Sequence, residues 1–306
     1  MNRVLLGYAA AVVAVALWGG NAVIGRAASG AEIPPVALNF SRWAIALVLV
    51  LPFAWKGLRR DWPLFRRHWR YCVAVGVVAI AGFNTLYYIG LQSTTAVQGS
   101  LMSGALPAMV LVGARLAFGT PITARQVAGV GLCFAGVVTI VGRGDPAVLL
   151  QFRFNIGDLW VLGAVVMWAT HILLFKRLPP GMNLLALQVV MFVVGLTAIL
   201  PLLAWEMATV PLMPLNATTL GYLAYVGVIA SIFGFTLWNI GVLWAGTTAA
   251  GYIGNLYPVF GSLLAIVFLG EALAWYHIVS AALILGGIAL ASWPGPRPAA
   301  AAAATH

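Results

Sequence analysis

Trp18 and Asn21 stand three residues apart, and Trp168 and His171 repeat that spacing later in the chain. Residues three apart share a helix face, so each pair sets an aromatic ring beside a hydrogen-bonding group. Tyr252 and Asn255 have the same spacing, and Tyr257-Pro258 follows them. Tyr87 and Trp238 add further rings. Such faces suit a small molecule with a flat or apolar part to stack and polar ends to orient. Arg42 adds a cation that can attract a carboxylate. Pro107 and Pro258 each remove a backbone donor and free a carbonyl one turn back, near Ser103 and Gly254. Plainer readings exist for all of these: tryptophans that face lipid, polar groups and an arginine that tie neighbouring helices together, and prolines that only kink helices so that they pack.

No enzymatic chemistry is legible beside them. The only lysines, Lys56 and Lys176, lack the glycines of a phosphate loop, and there is neither a metal-binding His/Glu cluster nor a nucleophile turn. No catalytic residue, metal or cofactor is expected.

The elements that must carry these faces follow from composition. Of 306 residues, 63% are hydrophobic and 7% charged, and the mean hydropathy is +1.02. A soluble domain is about a quarter charged, so a soluble enzyme, a nucleic-acid-binding domain and a disordered chain are excluded. A membrane-crossing helix needs about 20 apolar residues. Runs at about 4–25, 35–55, 71–91, 97–118, 125–141, 157–175, 184–205, 219–240, 249–269 and 276–293 meet that need. The first exceeds a signal-peptide core of roughly 7–15 residues and is read as a retained helix. Arg42, eight residues beyond Pro34, then lies about 12 Å along the second helix. A cation at such depth costs at least about 2.5–3.5 kcal/mol, so it is expected to face the bundle or a watery cavity.

The net charge of +10 becomes an address. With the amino terminus inside, the inner segments hold Arg3, Lys56, Arg59, Arg60, Arg66, Arg67, Arg70, Arg115, Arg125, Lys176, Arg177 and Arg297, 12 of the 16 basic residues. Both termini are expected on the cytoplasmic side. The loop 56–70 sets its basic residues among Trp62, Phe65 and Trp69. Between two spans it reads as topology and contact with anionic lipid, not nucleic acid. Cys72 and Cys133 sit in apolar runs and suggest no disulfide.

Segments 84–137 and 235–288 align without a gap at a difference of 151, which sets Thr85 on Thr236, Gly90 on Gly241, Pro107 on Pro258, Gly119 on Gly270 and Gly136 on Gly287. Near the start, a difference of 150 sets Trp18 on Trp168 and Asn21 on His171. The chain reads as two five-helix halves, 1–147 and 153–296, with a disordered cytoplasmic tail at 297–306. Five is odd, so the second half crosses in the opposite sense. Inverted repeats mark secondary transporters, with the substrate near the midplane between them.

On "IPPVALNFSRWAIALVLVLP" and "LYPVFGSLLAIVFLGEALAWYHIVSAALILGGIAL" the chain resembles the drug/metabolite transporter superfamily, with two EamA-type repeats over its whole length. Thr120 stands where the second half has Glu271, a departure from the pattern. The resemblance implies an all-α integral protein of the bacterial inner membrane with ten helices around a central cavity. It also implies export of small neutral metabolites, amino acids and aromatic ones first. Another solute (a nucleobase, a sugar derivative or a drug) and a channel or scaffold remain alternatives. The acids Glu32, Asp145, Asp158, Glu206 and Glu271 fall at outer ends or loops, and Asp61 falls in the inner basic loop. That placement disfavours lipophilic cations as cargo and leaves His171 as the one titratable mid-helix group. Oligomeric state, energy coupling and resting conformation are not legible.

Overall fold

The protein was analysed as a computed structural model, which describes residues 3–151 and 153–292, the side chains of 247 and 248 excepted. Arg297 and the tail 297–306 lie outside the described residues. Among the described residues, nine helices are long and apolar enough to cross a membrane, and one bent pair makes a tenth span.

The first half consists of α1 (Arg3–Gly30), α2 (Pro35–Arg67), α3 (Trp69–Leu91), α4a (Ala96–Ser103), α4b (Leu106–Phe118) and α5 (Ala124–Val141). The second consists of α6 (Ile156–Phe175), α7 (Leu184–Thr209), α8 (Ala217–Ala245), α9a (Thr247–Gly254), α9b (Tyr257–Leu269) and α10 (Trp275–Ser292). Local sequence accounts for most helix starts. Asn155, Asn183 and Asn216 accept from backbone N–H groups at the N-termini of α6, α7 and α8. Thr123 and Gln126 form a capping box at α5. Gly119 and Gly270 end α4b and α9b at φ 66° and 65°, the left-handed region that an L side chain avoids.

The duplication is visible residue by residue. The bounds of α4a, α4b and α5 fall on those of α9a, α9b and α10 when 151 is added: 96 to 247, 103 to 254, 106 to 257, 118 to 269, 124 to 275 and 141 to 292. Both α3 and α8 contain a π-helical stretch, Val77–Phe83 and Tyr225–Phe233. With five spans in each half, the two halves are antiparallel to one another. The face that carries Arg3 and Ser292 is called the near side, and the opposite face the far side.

One expectation changes here. Residues 56–67 are not a loop, because α2 runs on through them for 33 residues, about 50 Å at the helical rise. That length exceeds a hydrocarbon core of roughly 30 Å. The basic cluster therefore sits on the last turns of a helix whose other face, through Asp61 and Phe65, is buried, and only His68 interrupts before α3.

Small residues let the spans approach. A β-carbon on Gly129 of α5 would lie 2.6 Å from the Gly287 carbonyl of α10, and one on Gly287 would lie 2.5 Å from the Gly129 carbonyl. Without a hydrophobic drive between helices in lipid, such close backbone packing is what holds a pair together. Trp43 of α2 packs on Phe192 of α7 with ring centroids 5.0 Å apart. A larger core joins α1, α3, α4a, α6 and α9b around Tyr87, Tyr88 and Leu91.

Candidate functional site

Arg42 is the centre of a polar hub. Asn39 and Arg42 are three apart on α2 and reach different π-helical stretches. Asn39 Nδ2 donates to the Ile80 carbonyl at 3.2 Å and to Thr85 Oγ1 at 2.8 Å. Arg42 Nε donates to Ser231 Oγ at 2.8 Å, and that hydroxyl donates in turn to the Val226 carbonyl at 2.7 Å. A π-turn widens the helix and leaves carbonyls free to accept. Arg42 Nη1 donates to Asn84 Oδ1 at 2.8 Å, Asn21 Oδ1 at 2.9 Å and Tyr88 Oη at 3.0 Å. The Tyr88 hydroxyl donates to Asn21 Oδ1 at 2.6 Å. Arg42 as a whole is only 4% exposed, and every acceptor it has is neutral.

Of the residues named from the sequence, the structure brings Asn21 and Arg42 together here, and it adds Asn84, Tyr88 and Ser231. Asn84 and Tyr88 are four apart on α3, as are residues on one helix face, so that spacing was a usable signal. Ser231 gave none, since its repeat partner (231 − 151 = 80) is Ile80.

The predicted aromatic residues form two groups. On α1 and α8, Trp18 lies 5.4 Å from Phe235 and 5.3 Å from Trp238 between ring centroids. Trp18 Nε1 donates to the Ala230 carbonyl at 3.1 Å, another acceptor in the π-helical stretch. On α3 and α6, Tyr87, Phe83, Trp168, His171 and Phe175 make a continuous ladder with successive centroids 5.7, 4.9, 4.8 and 4.6 Å apart. His171 Nδ1 is buried without a partner. The groups approach through Tyr87, whose hydroxyl is 3.0 Å from that of Tyr257 on α9b. Phe83, Phe175 and Phe235 were not singled out from sequence, and Tyr257 was named only as the neighbour of Pro258.

Asn255 sits in the break between α9a and α9b, half-buried and with no side-chain hydrogen bond. Tyr252 joins neither aromatic group and is 55% exposed. Pro107 and Pro258 each stand in the first turn after a break, and α4a and α4b meet at 41°.

The two halves close unequally. On the far side α4a packs against α9b, whereas their repeat partners on the near side, α9a and α4b, do not pack together. Side-chain exposure follows the same division. Leu101 of α4a is 6% exposed, while Tyr252, its counterpart at 101 + 151, is 55% exposed. A near-side cavity of about 550 Å³ between α4b, α5 and α10 is lined by Pro107, Leu111, Arg125, Gln126, Cys133 and Ile288, among others. Of the sequence-predicted residues, Pro107 alone lines it.

The carboxylates occupy helix ends, and three of them are buried. Asp158 accepts from Thr94 at 2.6 Å and Gln98 at 2.7 Å. Glu206 accepts from the N–H groups of Val36 and Ala37, at 3.0 and 2.8 Å. Asp61 accepts from Arg60 at 2.7 Å and from the Asn183 N–H at 2.9 Å. None reaches Arg42.

Comparison with known proteins agrees with this architecture. The EamA-like transporter family matches residues 5–142 and 155–293. An uncharacterized transporter, YyaM of Bacillus subtilis, is 24% identical over 256 residues, 84% of this chain and 83% of its own. A probable terminal-alkyne amino-acid exporter of Streptantibioticus cattleyicolor is 26% identical over 83% of this chain and 82% of its own. A crystal structure covering 95% of this chain and 96% of its own superposes with a TM-score of 0.59 at 21% identity, a likeness of fold.

Proposed function

The chain belongs to the EamA-like transporter family, and from that premise we propose that it exports small neutral or zwitterionic metabolites by alternating access. It is an integral membrane protein, and its halves, taken as 1–147 and 153–296, exchange their packing during the cycle. The observation that carries this reading is the unequal closure: α4a on α9b is packed, and the equivalent pair on the other face is parted. Exchanging the two arrangements between repeats converts a near-side opening into a far-side one, as inverted repeats permit.

Amino acids, aromatic ones included, are the preferred cargo. The aromatic groups offer stacking surface. The Arg42 charge, held by neutral acceptors alone, suits a carboxylate. A relative named as an amino-acid exporter supports this class. His171 and Asn255 orient polar ends. We place the near side in the cytoplasm of a bacterial inner membrane, where the basic end of α2 meets anionic headgroups, so the open face is the one from which an exporter loads.

Counterflow in proteoliposomes tests the reading. Preloaded phenylalanine should accelerate uptake of labelled phenylalanine, and amino acids should compete. A channel gives no trans-acceleration and a scaffold no flux. Competition by a nucleobase, sugar derivative or drug, with none by any amino acid, would overturn the substrate class.

A further inference from the structure

We propose that Glu271 is a positioning residue for the transport cycle: its carboxylate clasps the far side shut, and Thr120 at the equivalent place leaves the near side without a clasp. This rests on the alternating-access reading above. Glu271 follows α9b, in the second half, and its two oxygens accept from the N–H groups of Ala96 and Val97 at 2.9 and 2.8 Å. Those are the first two residues of α4a, in the first half. The carboxylate therefore bridges the two elements whose packing seals the far side. Free N–H groups at a helix start are good partners for a negative charge, and hydrogen bonds to an ionised acceptor are the strong ones.

The repeat supplies the comparison. Adding 151 to 120, 96 and 97 gives 271, 247 and 248. A clasp on the near side would accordingly run from position 120 to the first turn of α9a. Thr120 is exposed and carries no carboxylate. The α2–α7 pair shows the other arrangement. There Glu206, at the far end of α7, clasps the start of α2, and Asp61, near the end of α2, clasps the start of α7. A pair clasped at both ends is packed at both. The pair clasped at one end is packed only there. Glu271 thus favours the near-side-open arrangement, and the cycle requires its release.

The test uses the full chain in lipid nanodiscs, with single reporter cysteines labelled by an impermeant thiol reagent. Ser100→Cys reports the far side, because Ser100 is 0% exposed and lies against Gly261 of α9b. Gly251→Cys, its counterpart at 100 + 151, reports the near side, where an added side chain meets no neighbour. Cys72 and Cys133 are buried and set the background. In the parent, Gly251→Cys should react fast and Ser100→Cys slowly. Adding Glu271→Gln should raise the Ser100→Cys rate by about tenfold, the scale of one lost charge-assisted bond, and lower the Gly251→Cys rate. Unchanged rates, or a rise at both positions, would show Glu271 to be a structural cap only. Thr120→Glu, on an exposed turn, is an independent arm that does not endanger folding. It should move the rates in the same opposed directions, and no movement overturns the proposal. Since no substrate enters the readout, absence of flux for every solute sinks the transport reading, while absence of a labelling shift sinks the clasp.

Discussion

Arg42 and Ser231 are 189 residues apart in sequence and share a 2.8 Å hydrogen bond that joins α2 to the π-helical stretch of α8. Through it one guanidinium links the first half to the second, while its other bonds reach α1 and α3. Four neutral acceptors meet Nε and Nη1 but leave the charge uncompensated. A buried cation in that condition is costly, and an arriving carboxylate would relieve the cost. The structural and the substrate-attracting readings of Arg42 are thus compatible.

Arg42→Lys separates charge from geometry. Lysine keeps the cation but has no planar fork to reach Ser231 and Asn84 at once. The stranded buried acceptors should destabilise the protein by about 1–3 kcal/mol, and flux should fall at least tenfold. A lysine variant with parental melting temperature and flux would remove Arg42 from both roles.

His171 is held by tilted ring contacts between Trp168 and Phe175, and its Nδ1 has no partner among the described residues. His171→Phe preserves the ladder and deletes the nitrogen. If the imidazole orients substrate, the phenylalanine variant should melt like the parent yet transport as poorly as His171→Ala, about tenfold down. Asn255→Ala should behave likewise, since no protein bond is lost. Parental flux from all three variants would empty the site of these residues.

The sequence made the spans readable because apolar length is a local property. It made the repeat readable because Pro107 and Pro258, or Gly119 and Gly270, are constrained backbone positions that survive divergence. Asn21 and Arg42 were each legible as inward-facing, because polar residues in an apolar helix face the bundle, but only the structure pairs them. Ser231, Tyr257 and Phe235 were not, because hydroxyls and rings are common in such helices and only the three-dimensional crossing of α8 and α9b gives them partners. The π-helical stretches were equally hidden, being a response to packing and not to any residue type. Thr120 was seen as a departure from the pattern that Glu271 keeps, but the meaning of Glu271 needed the position of the α4a N-terminus.

Gly19 tests the far-side seal from its packing. A β-carbon there would lie 2.9 Å from the Gly261 backbone nitrogen, and the opposing atom, being backbone, cannot swing away. Gly19→Ala should cost about 1–3 kcal/mol through overpacking and slow transport by spreading α1 from α9b. Gly131→Ala is the control, since an added methyl group meets nothing within 4 Å. There alanine should be neutral or add about 0.5–1 kcal/mol of helix stability. Thermal unfolding in detergent compares the two. Equal behaviour would refute the close crossing.

Glu206 shows what a carboxylate at the end of one helix contributes to the start of another. Its two oxygens serve two N–H groups, those of Val36 and Ala37, neither of which has an intrahelical acceptor. Glu206→Gln keeps one carbonyl oxygen, removes the charge and turns an amide donor toward a donor. The expected loss is about 1–3 kcal/mol, read as a lower melting temperature. Arg60→Ala should change melting little, although Arg60 forms an ion pair with Asp61, because the Arg60 side chain is 68% exposed and such pairs contribute little in water. Asp61→Asn should destabilise more than Arg60→Ala does, since the Asn183 N–H depends on the acid. An Arg60→Ala loss as large as that of Asp61→Asn would mean that the ion pair, and not the helix clasp, holds α2 to α7 on the near side.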